Sequence, residues 1–269
     1  LAALFLVPVA AQNPFFAFDN GTGRDQKLPL ADQAALVQRT GYAGLGYSGA
    51  LRIPEVLAAL DAHGLQLFSI YVGITVENGQ ATVDPALPQA IKQLTGRGTA
   101  IWLYVRGVPR QDDAVAARAV RQVAELAAQS GLRVVLYPHV GFCVERVDDA
   151  LRIRQLAGRP NIGVSLNLAH LLALGEEPQL DQILARALPH LDLVSINGAD
   201  HTGRWREGDW SQLIQTLDRG EFDVPAFVRH LRRLGYRGPV GLQAYRVAGD
   251  LEENLRRSMG AWRAMNPSR

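Results

Sequence analysis

Three of the six histidines, His139, His170 and His201, directly follow apolar runs that read as strands. An imidazole titrates near neutral pH, so His139 and His170 are candidates for moving a proton. His170 lies three residues after Asn167 in "GVSLNLAHLL" (163–172). Asp200 and Asp19 also stand at strand ends and add carboxylates to the acid/base candidates. Asn167, Asn197 and Gln243 bring amides that both donate and accept, suited to hydroxyls or to a carbonyl. Trp102 and Tyr104 offer ring faces on which a ligand could stack, with Tyr137 and Tyr245 nearby in the same pattern. Arg106 and Arg246 stand just past two of the strands, where a guanidinium grips a phosphate or carboxylate. Surface ion pairing accounts for these two arginines equally well.

These residues need a scaffold that brings strand ends together. Apolar runs at 15–21, 42–49, 65–73, 100–107, 133–141, 162–170, 191–200 and 238–245 alternate with amphipathic stretches. The clearest helix spans 113–131 with Gly131 as its stop; another spans 223–238, with Asp223 as N-cap and Gly235 as C-cap. Eight β-then-α units predict an α/β fold, a single-domain (β/α)8 TIM barrel over residues 12–269. A doubly wound sheet would normally show a glycine-rich phosphate fingerprint after an early strand, and none occurs.

Alternation along each strand sorts the candidates. Ile101, Leu103 and Val105 share one face, and Trp102, Tyr104 and Arg106 the other. Tyr137 and His139, Ser165 and Asn167, Ser195 and Asn197, and Gln243 and Tyr245 fall on the same parity, which grows polar toward the C-terminal ends. Barrel enzymes build their sites at those ends. Burying so many polar groups without use would cost desolvation, so a ligand cleft is expected there. His63, His190 and His230 fall in or beside helices and read as surface or packing residues.

Composition excludes several classes. With 48% hydrophobic and 20% charged residues, the 269-residue chain can build a full core. A net charge of +2 without a basic block argues against nucleic acid. The only lysines, Lys27 and Lys92, avoid the strand ends, which disfavours Schiff-base chemistry. Cys143 stands alone, so neither an internal disulfide nor a cysteine zinc site can form. Residues 1–11 read as the remnant of a signal peptide, which predicts a secreted or periplasmic protein with no membrane span in the mature chain. A hydrophobic N-terminal strand is the other reading of those residues, and the oligomeric state is left open.

The segments "YPH", "LNLAH", "INGAD" and "LDRGEFDVPAFVRHLRRLGYRGPVGLQAY" together resemble the xylose-isomerase-like barrel superfamily. This group holds sugar isomerases and epimerases and the type-2 abasic-site endonucleases, and the resemblance spans roughly residues 15–262 and implies a small-molecule sugar or sugar derivative as the ligand. In its sugar epimerases a divalent metal is held by Glu, Asp, His and Glu at the ends of the fifth to eighth strands. Those positions fall here on Tyr137, Asn167, Asn197 and Gln243, whereas His139, His170 and Asp200 are kept. Hard cations are held largely by anionic oxygens, so the resemblance implies a neutralised site with no metal or other cofactor. Three readings stay open: a metal-independent isomerase- or epimerase-like enzyme, a non-catalytic carbohydrate-binding relative, and a relocated metal site built from His139, His170 and Asp200 or His201. The loop 198–210, with Trp205 and Trp210, reads either as a lid or as ordinary packing.

Overall fold

A computed structural model describes residues 13–202, 206 and 208–266. Eight parallel strands close a barrel: β1 (Phe15–Phe18), β2 (Gly44–Ser48), β3 (Gln66–Glu77), β5 (Ala100–Arg106), β6 (Val134–Leu136), β7 (Ile162–Asn167), β8 (Leu191–Ile196) and β9 (Val240–Leu242). Pairing of β1 with both β2 and β9 and of β2 with β3 closes the ring, as the alternation predicts. Helices cover the outside: α1 (Leu30–Arg39), α2 (Ile53–Asp61), α3 (Leu87–Gln93), α4 (Asp113–Gln129), α5 (Val147–Ala157), α6 (Leu168–Ala173), α7 (Leu180–Ala187), α8 (Val224–Arg233) and α9 (Leu251–Ala264).

One element departs from the sequence reading. The run at 65–73 continues to Glu77, and β4 (Gln80–Val83) pairs back on it antiparallel. Asn78 and Gly79 take φ of 52° and 73°, the positive values a two-residue Asn-Gly hairpin needs. The other runs shorten at their C-terminal ends, where turns take over. Residues 19–21 form a 3-10 turn after β1, and α6 begins directly after Asn167. The two caps read from sequence form. Asp223 accepts from the Ala226 N–H at 2.8 Å, and Gly235 adopts a φ of 95° just past α8.

Two packing layers follow the parity of the strands. Ile101, Leu103 and Val105 are fully buried in the large cluster between barrel and helices. Phe16, Phe18, Phe68, Trp102, Val135, Tyr137 and Leu193 form a separate cluster inside the barrel. Phe16 stacks on Phe68 at 4.7 Å and Phe18 on Trp102 at 4.6 Å between ring centroids. Gly46 and Gly241 make room for this filling, because a Cβ at either would sit 2.5 Å from the Phe18 ring. These rings are the floor on which the barrel mouth rests.

Residues 1–11, read as a leader, lie outside the described residues, as does Trp205. Among the described residues, no helix is long and apolar enough to cross a membrane.

Candidate active site

A cleft of about 400 Å³ opens at the C-terminal ends of the strands, above the aromatic floor. The sequence-selected residues Trp102, Arg106, Tyr137, His139, His170, Gln243 and Tyr245 all line it. Trp210 joins them from the long loop after β8, with its ring 5.0 Å from His170 and nearly perpendicular to it. Of the loop's two tryptophans, Trp210 is thus part of the cleft wall.

β6 and β7 supply a linked polar group. Asn167 caps α6: its Oδ1 accepts from the His170 backbone N–H at 3.2 Å. A backbone N–H can only donate, so the Asn167 amide nitrogen must point the other way, to the Tyr137 hydroxyl at 3.1 Å. The Tyr137 oxygen also lies 2.8 Å from His170 Nε2. With Asn167 donating to it, Tyr137 has its own proton to give to His170 Nε2. That arrangement leaves the His170 proton on Nδ1, a buried atom without a hydrogen-bond partner. The His139 ring packs against His170 at 4.0 Å, and its Nδ1 donates to the Val140 carbonyl at 2.8 Å. His139 Nε2 is therefore the nitrogen with a free lone pair.

Burial sets the protonation of this group. It depresses the His170 pKa well below the usual imidazole value, helped by His139 alongside. It also depresses His139, where Arg106 pushes further down and the bond to the Val140 carbonyl pushes partly back. Burial drives the Tyr137 phenol far up, so that hydroxyl stays protonated. Both imidazoles are thus neutral near pH 7, and His139, with its free Nε2, is the one able to accept a proton.

The remaining sequence-selected residues go elsewhere. Tyr104 packs between Tyr71 and Phe142 and lines a shallower neighbouring pocket. Asn167 stands behind Tyr137, 2% exposed, rather than in the wall. Asn197 is turned away: its amide nitrogen donates to the Gly198 and Leu213 carbonyls and pins the loop after β8. Asp200 does not line the cleft. Its carboxylate accepts from Gln215 Nε2 at 3.1 Å and from the Glu221 N–H at 3.2 Å, so it organises the same loop. His201 is exposed and pairs with Glu177 at 2.8 Å. Arg246 lies over the Tyr245 ring at 5.0 Å and lines a different pocket. Neither Asp200 nor His201 joins His139 and His170, and among the described residues no three His, Cys, Asp or Glu side chains converge as for a metal.

Residues that sequence reading missed also line the cleft: Phe18, Asn20, Arg24, Ser48 and Tyr71 come from β1 to β3 and the turn after β1, and Ile214 from the loop after β8. Asp19, 1% exposed, sits beneath them. Its carboxylate accepts from the Ser48 N–H and Ser48 hydroxyl, both at 2.7 Å, and from Arg24 Nη1 at 3.3 Å. Burial raises the Asp19 pKa, against the opposing pull of Arg24 and Ser48. Asn20 donates to Gln243 Oε1, and the amide nitrogen of this cleft-lining residue has no protein acceptor among the described residues.

The family model described as xylose isomerase-like TIM barrel matches residues 34–265. The chain belongs to this family. It is 26% identical over 267 residues to a ketose 3-epimerase of Arthrobacter globiformis, covering 97% of this chain and 80% of that protein. Among solved structures, it resembles 3-keto-D-glucoside 4-epimerase YcjR of E. coli, with a TM-score of 0.70 at 18% identity over 93% of this chain and 98% of that one. It also resembles the probable 3-DHS dehydratase AsbF of Bacillus anthracis, with a TM-score of 0.76 at 14% identity over 96% of this chain and all (100%) of that one. At these identities the two structures speak for the fold alone. In this xylose isomerase-like barrel, the four positions that the resemblance gives to metal ligands hold Tyr137, Asn167, Asn197 and Gln243, all buried.

Proposed function

We propose that the protein acts on a keto-sugar or related carbohydrate in the cleft, with His139 as the base, and that it does so without a divalent cation. The observation that carries this reading is the pair of neutral, adjacent imidazoles at the cleft wall, one of which presents a free Nε2. In the reaction, the C–H bond beside the sugar carbonyl breaks and its proton passes to His139 Nε2. The electron pair moves onto the carbonyl oxygen to give an enolate, which the free Gln243 N–H stabilises by hydrogen bonding. Protonation of that carbon from solvent water on the opposite face, with the His139 proton released to solvent, gives an epimer; return of the His139 proton to the neighbouring carbon, with a proton exchanged between the two oxygens, gives an isomer. Trp102 and Tyr137 supply apolar faces for the sugar ring.

The donor set argues against the inherited cation. Divalent metals favour carboxylates and imidazoles. The Tyr137 phenol is held protonated, Asn167 Oδ1 is spent on the α6 cap and Gln243 Oε1 takes Asn20, which leaves the neutral Asn197 Oδ1 as the one unoccupied oxygen of the set. These four side chains do not fit a hard divalent ion. Incubating ketoses with chelator-treated protein in heavy water tests the proposal. Solvent deuterium should enter the sugar, and His139→Gln should slow its entry by about 10²-fold or more. Full exchange in both His139→Gln and His170→Gln would remove the histidines from the chemistry. The same neutral, internally bonded ligand positions favour a second reading, a carbohydrate-binding relative without turnover. Calorimetric binding with no deuterium entering any bound sugar would establish it.

A further inference from the structure

The cleft carries two guanidiniums and, among the described residues that line it, no carboxylate. Arg24 comes from the turn after β1 and Arg106 from the end of β5. Tyr71, on β3, lies between them: its hydroxyl feels the positive charge of both. Arg24 and Tyr71 stand on the β1–β3 side of the mouth, and Arg106, at the end of β5, stands next to the β6 end that carries His139.

Arg24 is held in place by its own neighbours. Its Nη1 donates to Ser48 Oγ at 2.7 Å and to Asp19, and its Nε donates to Asp25 at 2.8 Å. Asp19 lies below the cleft wall with both oxygens already occupied. Nη2 has no protein acceptor among the described residues, so a fixed edge of the guanidinium is left for a ligand. Arg106 has even fewer commitments. Its guanidinium lies 5.2 Å from the Tyr104 ring centre and 5.1 Å from that of Phe142. These faces orient the planar fork, and no described carboxylate or carbonyl takes its donors.

A neutral polyol has no need of such a wall. Sugar hydroxyls both donate and accept, and a lining for them mixes acceptors with donors. A guanidinium only donates, and its planar fork matches a carboxylate or phosphate in a two-point grip. Arg24 already shares its charge with Asp19 and Asp25 and offers Nη2 as a further donor, whereas Arg106 meets no carboxylate among the described residues, so its charge is open to an anion in the cleft. We infer that the ligand is a carbohydrate bearing an anionic group, a carboxylate or a phosphate, clasped between Arg24 and Arg106 beside the Tyr71 hydroxyl. This rests on the carbohydrate reading above for the remainder of the ligand. The clasp would fix the sugar by its acidic end and present its other end to His139.

Titration calorimetry at low ionic strength tests this with four probes: D-glucuronate, glucose 6-phosphate, D-glucose and pyruvate. Glucuronate or the phosphate should bind about tenfold or more tightly than glucose, the gain expected of charge-assisted hydrogen bonds. Added salt should narrow that gap. Arg106→Gln should erase the preference and leave the thermal midpoint unchanged, because the Arg106 side chain is exposed and holds no protein acceptor among the described residues. Whichever anion binds more tightly identifies the group as carboxylate or phosphate. Equal binding of glucose and both anionic sugars, or a preference that survives Arg106→Gln, overturns the clasp. Pyruvate binding as tightly as glucuronate upholds the clasp and overturns the carbohydrate reading. No binding by any probe overturns both.

Discussion

The two sides of the barrel mouth solve opposite problems with similar numbers of hydrogen bonds. In the ring order, β1 lies across from β6 and β2 across from β7. On the β6–β7 side, Asn167, Tyr137, His170 and His139 form a wholly neutral group. On the β1–β2 side, Asp19, Ser48 and Arg24 form an ionic group with a buried carboxylate at its base. The first side keeps polar atoms inside the barrel by removing charge. The second keeps charge by giving each oxygen of the buried acid a donor. A reactive base and an anchoring cation thus sit apart on one cleft, and neither neutralises the other.

That contrast breaks most sharply under truncation. Asp19→Ala should destabilise the fold by about 2–4 kcal/mol, the cost of leaving two partly buried donors unpaired. It strips the acceptor from the Ser48 N–H and the Ser48 hydroxyl. Asn167→Ala, on the neutral side, should cost only about 1–2 kcal/mol for the lost cap and the lost donor to Tyr137. Urea unfolding of the two variants gives the comparison directly. A larger loss for Asn167→Ala would mean that the neutral group is the real keystone of the mouth.

The barrel and half of the mouth were legible in the sequence for the same reason. Period-2 alternation puts Trp102, Tyr137 and Gln243 on the inner face wherever the strand is regular, and each lines the cleft. The method fails where the chain leaves strand geometry. Asn20 and Arg24 lie in the turn after β1, where alternation carries no information, and Arg24 reads as one more surface arginine. Ser48 and Tyr71 fall within strands read correctly, but neither side chain stands out by type. Asn197 and Asp200 show the converse error. Both stand at a strand end with promising chemistry, yet the loop after β8 uses them for its own backbone. The signal that separates them is tertiary: whether the loop folds back over the strand end.

Acid should expose the second difference between the sides. The depressed pKa values of His139 and His170 mean that the unfolded chain takes up protons near the ordinary imidazole value, about 6.5, before the native chain does. Their contribution to stability is complete above that pH and is lost as pH falls toward their folded values. Asp19 runs the other way. Its raised pKa makes the native carboxyl bind a proton more readily than the unfolded one, so this group favours the fold below the ordinary carboxyl value and loses that advantage as pH rises. Urea midpoints measured across pH should therefore fall below about 6.5 in the parent chain. In His170→Gln that fall should be shallower, and an unchanged slope would mean that His170 is protonated in the native state.

The smallest effect is expected at His201, which lies on neither side. Its sequence setting matches that of His139 and His170, directly after a strand-like run, but its ring is half exposed and bonded to Glu177 on the outer surface. An exposed pair of this kind is worth about 0–1 kcal/mol, because water and salt screen the attraction and ordering two side chains offsets it. His201→Ala should accordingly shift the urea midpoint very little and leave both sugar binding and deuterium exchange at parental levels. A loss of exchange in this variant would tie the loop after β8 to the chemistry through His201. With that loop anchored instead by Asn197 and Asp200, the change has no route into the cleft except through Trp210, whose ring packs on His170.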